Sequence, residues 1–191
     1  GTTAASKVYD GTTSATVTVG SITGFVSGET VTSTATGVFN SKDVLTANAV
    51  TATYSLVDGT GGGLAANYSL ADSTGLSASI TARDLLVGGD ADDKTYDGTS
   101  QASISNFVDN RVSGDDISVS AGSASFRSTN VGTSVLVDVY NVQLTGGDAT
   151  NYSLVWTSFA TTADINQKAL TVSGTTAASK VYDGTTSATV T

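Results

Sequence analysis

The sequence GTTAASKVYDGTTSATVT occupies residues 1–18 and recurs without a change at residues 174–191. Within it, SATVTV at residues 14–19 alternates small polar and branched apolar side chains, which is the pattern of a half-buried β-strand. The Asp-Gly pair at residues 10–11 signals a tight turn, because glycine tolerates a positive φ. Strand and turn therefore alternate within one short repeated stretch, and we expect an all-β fold built from tandem copies.

Weaker copies of the same landmarks divide the chain into two diverged units of about 86 residues. KVYDGT at residues 7–12 returns as KTYDGT at residues 94–99, and NYSL at residues 67–70 returns at residues 151–154. Further pairs at this spacing are VSGE (26–29) with VSGD (112–115), Phe39 with Phe126, and ITAR (80–83) with INQK (165–168). We expect units over residues 1–82 (unit 1) and 83–167 (unit 2), then the opening strands of a third over 168–191. The identical ends suggest a piece of a longer protein that repeats a two-unit module.

The strand pattern within each unit favours a β-sandwich. Further strand-like runs lie at residues 30–36, 47–55, 117–120, 135–140 and 160–165. In the fourth of these runs, Val135, Val137 and Val139 share one face. About seven short strands in ~86 residues is the pattern of an immunoglobulin-like β-sandwich. A β-solenoid is the alternative, but its coils would repeat every ~20–30 residues, and the sequence has no such period.

The composition excludes several classes of function. Cys, His, Met and Pro are absent, which rules out disulfides, metal sites built on His or Cys, and a Ser-His-Asp triad. The formal net charge of −9 disfavours contact with nucleic acid, which depends on Lys and Arg. No apolar run approaches the ~18 residues that a membrane-spanning helix needs. We expect no enzymatic activity, no cofactor, no nucleic-acid partner and no membrane insertion.

Two sets of residues resemble motifs of known protein families. GDATNY at residues 147–152 resembles the tyrosine corner of immunoglobulin-type domains with one extra residue, and Tyr68 holds the place of Tyr152 in unit 1. The KxYDGT stretches starting at Lys7, Lys94 and Lys180, the NYSL stretches and INQKALTV at residues 165–172 together resemble YDG repeats. These repeats, and the related MBG-type immunoglobulin-like repeats, occur in tandem in large bacterial surface adhesins related to filamentous haemagglutinin.

The resemblance implies a stalk or spacer without known chemistry, in a secreted protein at the bacterial cell surface. Its partners would be neighbouring repeats, with a host surface or glycan bound through a distant region. For the YDG motif we expect a structural role, with the Tyr ring packed beneath the turn and the Asp carboxylate accepting backbone N–H groups. The motif residues are Tyr9, Asp10, Gly11, Tyr96, Asp97, Gly98, Tyr182, Asp183 and Gly184.

Two groups of residues are candidate ligand contacts. Asp90, Asp92, Asp93 and Asp97 could offer oxygen ligands to Ca²⁺, but the equivalent stretch before Lys180 has no acidic residue, which favours a solvated acidic turn. Trp156 aligns with Asp72 of unit 1, so we expect it to be exposed, where it could stack on a sugar. The alternative function is therefore a carbohydrate- or surface-binding adhesin module.

An isopeptide crosslink is disfavoured. Lys42, Asn48 and the sole Glu, Glu29, provide the residue types that such a bond needs, but unit 2 has no matching trio.

The junction and the tail carry the last expectation. No linker rich in Gly, Pro or Ser interrupts residues 79–87, so the last strand of unit 1 should run almost directly into the first strand of unit 2. The equivalent strand before Gly1 has been cut away, so unit 1 should expose an unpaired strand edge, and the tail carries the matching strand. We expect Leu170, Val172 and the residues after Gly174 to dock on unit 1 of another copy, head to tail, by strand addition.

Overall fold

The computed structural model describes residues 1–191 and confirms an all-β fold, with 46% of the residues in strands and 3% in helix. The strands of unit 1 are β1 (Thr3–Ala4), β2 (Lys7–Val8), β3 (Ser14–Ala15), β4 (Val17–Thr18), β5 (Val31–Phe39), β6 (Ala49–Asp58), β7 (Ser73–Ser77) and β8 (Ile80–Thr81). Those of unit 2 are β9 (Arg83–Leu85), β10 (Val87–Ala91), β11 (Lys94–Thr95), β12 (Ile104–Asp109), β13 (Ser118–Phe126), β14 (Gly132–Thr145), β15 (Tyr152–Leu154) and β16 (Ser158–Asn166). Two 3-10 turns, Ala65–Asn67 and Ala149–Asn151, occupy matching places.

Each unit is built on a four-stranded sheet, in the order β3-β5-β6-β7 in unit 1 and β11-β16-β14-β13 in unit 2. The alternation of side chains along β14 shows why these residues form a strand. Val137 and Val139 are buried, whereas Leu136 and Tyr140 between and beyond them are exposed. One face of the sheet is therefore apolar and requires a cover.

A second layer covers this face in unit 2. In that layer β10 pairs antiparallel with β12, and β9 pairs in parallel with β15. Val87, Ile104 and Leu154 from this layer pack against the buried side chains of the four-stranded sheet. The unit is thus a two-layer β-sandwich. Two of its strand pairs are parallel, β9 with β15 and β11 with β16.

Unit 1 repeats most of this arrangement. The β1–β4 pair corresponds to β10–β12, and the parallel β2–β8 pair corresponds to β11–β16. The exception is residues 68–70, the counterpart of β15, which pair with no strand. Residues 68–70 therefore lack the parallel partner that β9 provides to β15 in unit 2.

The connection between the units is a single residue long. β8 ends at Thr81 and β9 begins at Arg83, which confirms that the last strand of unit 1 leads directly into the first strand of unit 2. No helix in the chain has the length and apolar character needed to cross a bilayer.

The residues after Asn166 form no layer of their own. Of the opening strands expected there, only an isolated bridge between Ala177 and Val190 is present. Leu170, Val172 and Val181 are exposed because no second sheet covers them. Backbone hydrogen bonds between Thr176 and Thr191 repeat the pairing of Thr3 with Thr18 in unit 1, so this pairing forms without a complete unit.

Candidate functional site

The YDG motif of unit 1 is a closed turn around the Asp10 carboxylate. Asp10 Oδ1 accepts hydrogen bonds from Lys7 Nζ at 2.7 Å, the Thr12 backbone N–H at 2.9 Å and Thr12 Oγ1 at 2.8 Å. Gly11 has a φ of +78°, which the turn requires and only glycine adopts readily. Burial raises the pKa of Asp10, but the bonds from Lys7 and Thr12 outweigh burial, so the net pKa lies below its usual value.

The same turn closes in all three copies of the motif. Lys94 and Thr99 hold the carboxylate of Asp97, and the pKa of Asp97 falls far below its usual value because of the Lys94 bond. The third copy has equivalent bonds among Lys180, Asp183 and Thr185, with Gly184 at positive φ. Since this copy lies outside a folded unit, local contacts are enough to form the turn. The role of the lysine was not predicted, although its position three residues before each Asp signals it.

The tyrosines of the three motifs differ sharply in burial. Tyr9 is 1% exposed, Tyr96 is 40% exposed and Tyr182 is 92% exposed. Tyr9 is buried against Tyr152 of unit 2, whereas no sheet covers Tyr182, and the packing of each ring beneath its own turn stays a prediction. Because the turns themselves are alike, the difference comes from what each unit packs against.

Tyr9 is buried at the junction between the two units. Its ring meets the ring of Tyr152 in unit 2 edge to face, with centroids 5.4 Å apart and planes at 72°. Phe39 and Ile80 of unit 1 and Leu85 of unit 2 belong to the same buried cluster, so one apolar core continues across the boundary. A joint with a shared core is stiff, because bending it would expose apolar surface to water.

A polar group covers the rim of this core. Lys42 Nζ donates hydrogen bonds to Asp148 Oδ1 of unit 2 at 2.7 Å and to Tyr9 Oη at 3.2 Å. The bond to Asp148 raises the pKa of Lys42, and the same bond holds the pKa of the Asp148 carboxyl below its usual range. Both side chains are therefore charged at neutral pH, and they link the units by an ion pair.

Asn151 is the buried polar side chain of the junction, at 1% exposed. Its Oδ1 accepts a hydrogen bond from the Val44 backbone N–H at 2.9 Å, and its Nδ2 donates to Asp43 Oδ1 at 3.1 Å, both in unit 1. Sequence reasoning missed Asn151 and Lys42 as junction residues, because their partners are more than 100 residues away.

The tyrosine corners, Tyr68 in unit 1 and Tyr152 in unit 2, each bond back to the backbone of an earlier loop in the same unit, as expected. Tyr152 Oη accepts a hydrogen bond from the Val112 N–H at 2.8 Å and donates one to Asp115 at 2.6 Å. Tyr68 makes the same pair of bonds in unit 1, with the Val26 N–H at 3.1 Å and with Glu29 at 2.7 Å. Burial, and then the bond to Asp115, raises the pKa of Tyr152 to about 12.

The junction joins one end of unit 1 to the opposite end of unit 2. We call the surface around the YDG turn (Tyr9 or Tyr96) the turn end, and the surface around the tyrosine corner (Tyr68 or Tyr152) the corner end. In unit 2, Lys94 of the YDG turn lies over the ring of Phe126, the last residue of β13. Ile117, which belongs to the junction core, comes directly before the first residue of β13. Nine residues of strand separate these ends by about 27 Å. Joining turn end to corner end thus stacks units in one direction.

The acidic candidates do not assemble into a metal site. The Asp97 carboxylate accepts hydrogen bonds within its own turn. Asp90 accepts a hydrogen bond from the Asn106 side chain, and Asp93 accepts one from the Asp164 N–H. No group of three or more acidic side chains that could hold an ion is present, and Asp92 lies exposed outside any such group.

The remaining candidates are Trp156 and the three residues of the isopeptide bond. Trp156 is 56% exposed, as expected, and takes part in none of the three aromatic pairs. The isopeptide trio does not meet. Asn48 bonds to Asn40 and Lys42 pairs with Asp148, whereas Glu29 lies at the corner end of unit 1 with Tyr68.

A family model matches both units of the chain. The family model described as YDG domain matches residues 1–75 and residues 81–162, one match for each unit. No curated protein and no solved structure matches the chain.

Proposed function

The chain belongs to the YDG domain family, and from this premise we propose that its two units are structural stalk or spacer repeats of a secreted bacterial adhesin or surface fibre. In this role they hold a distant binding region away from the cell. Their immediate partners are neighbouring repeats of the same protein, and contact with a host surface or glycan is made elsewhere in the parent protein.

The observation that supports this proposal most strongly is the shared core of the junction. Tyr9 and Tyr152 pack together, the chain crosses with one residue between β8 and β9, and Lys42 and Asn151 join the rim. A spacer has to transmit position over distance, so it needs stiff joints between units. A tethered binding domain needs no such joint and commonly has a flexible linker.

Small-angle X-ray scattering of the full chain tests this proposal. We expect the profile of one rigid body, with the same spacing between the units at every ionic strength. The control is a variant with a Gly-Ser insertion after Ala82, which separates β8 from β9 and should give a broad distribution of spacings. A wild-type profile as broad as that of the insertion variant would refute the stalk role.

The second candidate is a carbohydrate- or surface-binding module, which the exposure of Trp156 favours. Exposed aromatic rings stack on sugars, but such a platform usually has more than one ring, and no other ring is paired with Trp156. A glycan array with the wild type and Trp156→Ala separates the two functions. Binding that the variant loses supports the module, and no binding by either protein supports the stalk.

A further inference from the structure

The four-stranded sheet of unit 2 ends in a strand that has a neighbour on one side only. β13 pairs with β14 along its length. Its other side is bonded only near its end, where Ala124 and Phe126 bond to the backbone of residues 100–102. The segment Ser118–Gly122 therefore has no backbone partner on its outer side. This segment lies on the flank of unit 2, whose chain is complete from β9 to β16.

The residues of β13 that face the core carry the free backbone groups. Val119, Ala121 and Ala124 all pack against the buried side chains of the sheet. Residues that face one side of a strand direct their N–H and C=O groups toward the same neighbour. The C=O of Ala124 points to the outer side, where it accepts a hydrogen bond from the Ala102 N–H. Val119 and Ala121 therefore also direct their N–H and C=O groups outward, where the chain offers them no partner.

An apolar cleft of about 420 Å³ opens beside this edge, between the two layers of the sandwich. Its apolar lining includes Ile104 and Phe107 of β12, and Val119 and Ala121 of β13. The two layers thus do not close over each other on this side. A further strand that pairs with β13 gains backbone hydrogen bonds and also removes apolar surface from water.

Charge indicates which strand fits this edge. β13 has no charged residue, and residues 139–145 of the neighbouring β14 have none either. The chain as a whole carries a formal net charge of −9, so two copies repel each other in general. Edge strands are commonly protected from pairing by Lys or Pro, and β13 has neither. The flank along β13 is therefore a surface that a second copy can approach without meeting like charges on this strand.

We propose that β13 of one copy pairs antiparallel with β13 of a second copy, across a two-fold axis at Ser120. In this register Val119 lies opposite Ala121 of the second copy, so that their free N–H and C=O groups bind each other. Ser118 lies opposite Gly122, which uses the whole unpaired segment. The two clefts face each other, and their apolar linings lose contact with water. Because both copies contribute the same surface, the contact closes at a dimer.

The two-fold axis sets the direction in which two stalks meet. β13 runs from the corner end of unit 2 to its turn end, so antiparallel pairing joins units that point in opposite directions. Stalks anchored in one cell surface point the same way, whereas the stalks of two facing cells point toward each other. The contact therefore suits adhesion between cells that carry the same protein. This use rests on the proposed stalk function, but the pairing itself does not.

Sedimentation equilibrium of the full chain over a concentration series tests the contact. We expect monomers and dimers, with more dimer at high ionic strength because salt screens the repulsion between the copies. Ser120→Asp puts two carboxylates opposite each other at the axis and should weaken dimerisation by about tenfold. The control Ser158→Asp adds the same charge at an exposed position of β16, away from the edge, and should dimerise like the wild type. Monomers throughout, or association that Ser120→Asp leaves unchanged, would overturn the proposal.

Disulfide trapping tests the register, since the wild type has no cysteine. Ser120 directs its backbone groups toward β14, so the two copies of Ser120 form a pair without hydrogen bonds between them, with Cα atoms about 4.5 Å apart. This separation suits a disulfide. Ser120→Cys should form covalent dimer about tenfold faster than Ser158→Cys under the same mild oxidation, because pairing raises the effective concentration of the thiols. Equal rates would refute the two-fold pairing. The scattering test of stiffness within one chain is independent of both results.

Discussion

Replacing Tyr9 with alanine tests whether the junction stabilises the fold, and Tyr96→Ala is its matched control. Each tyrosine precedes an Asp-Gly turn, and the glycines of the two turns, Gly11 and Gly98, both have a φ of +78°. Tyr9 is 1% exposed, whereas Tyr96 is 40% exposed. For a side chain that buries about 200 Å², the difference corresponds to about 80 Å². At ~25 cal/mol per Å² this area is worth about 2 kcal/mol.

We expect Tyr9→Ala to lower the free energy of unfolding by about 3–5 kcal/mol, as for other fully buried aromatic side chains, and Tyr96→Ala by about 2 kcal/mol less. Urea denaturation followed by circular dichroism measures both, at a concentration where the protein is monomeric. Because one core continues across the junction, the wild type should unfold in a single transition. Tyr9→Phe keeps the ring and should retain most of the stability. Equal losses for the two alanine variants would show that the junction contributes nothing.

Three further predictions concern the rim of the junction and the acidic residues. Asn151→Ala should lower the free energy of unfolding by about 1–3 kcal/mol, because it removes a buried amide that bonds to the Val44 N–H and the Asp43 carboxylate across the junction. Asn67→Ala, at the exposed matching position, should be neutral in the same urea titration. The pKa of Asp148 is lowered in the folded state by Lys42, so its stabilising effect should be complete above the unfolded pKa of about 4 and be lost as the pH falls further. Comparing acid titrations of the wild type and Asp148→Asn checks this, and an identical loss of stability in both would contradict it. EDTA should leave the melting temperature unchanged, because no cluster of acidic side chains forms an ion site; a fall that added Ca²⁺ reverses would contradict this.

Much of the secondary structure and the turn chemistry follows from the sequence alone. The alternation of Val135, Val137 and Val139 predicts the buried face of β14, and the structure buries two of these residues fully. The Asp-Gly pair predicts a turn with positive φ, which all three copies form. These features depend on residues only a few positions apart, so the local sequence is enough to specify them.

The sequence could not show which copy of the YDG motif has a buried tyrosine. Tyr9, Tyr96 and Tyr182 stand in near-identical stretches, yet only Tyr9 is buried, because only its turn faces a corner end within the chain. The partners of Lys42 and Asn151 lie across the junction, and no spacing in the sequence brings them together. The sequence by itself determined the strands, the turns and the repeat. Only the tertiary structure decided which surfaces meet, because contact between distant residues follows from how the two units pack.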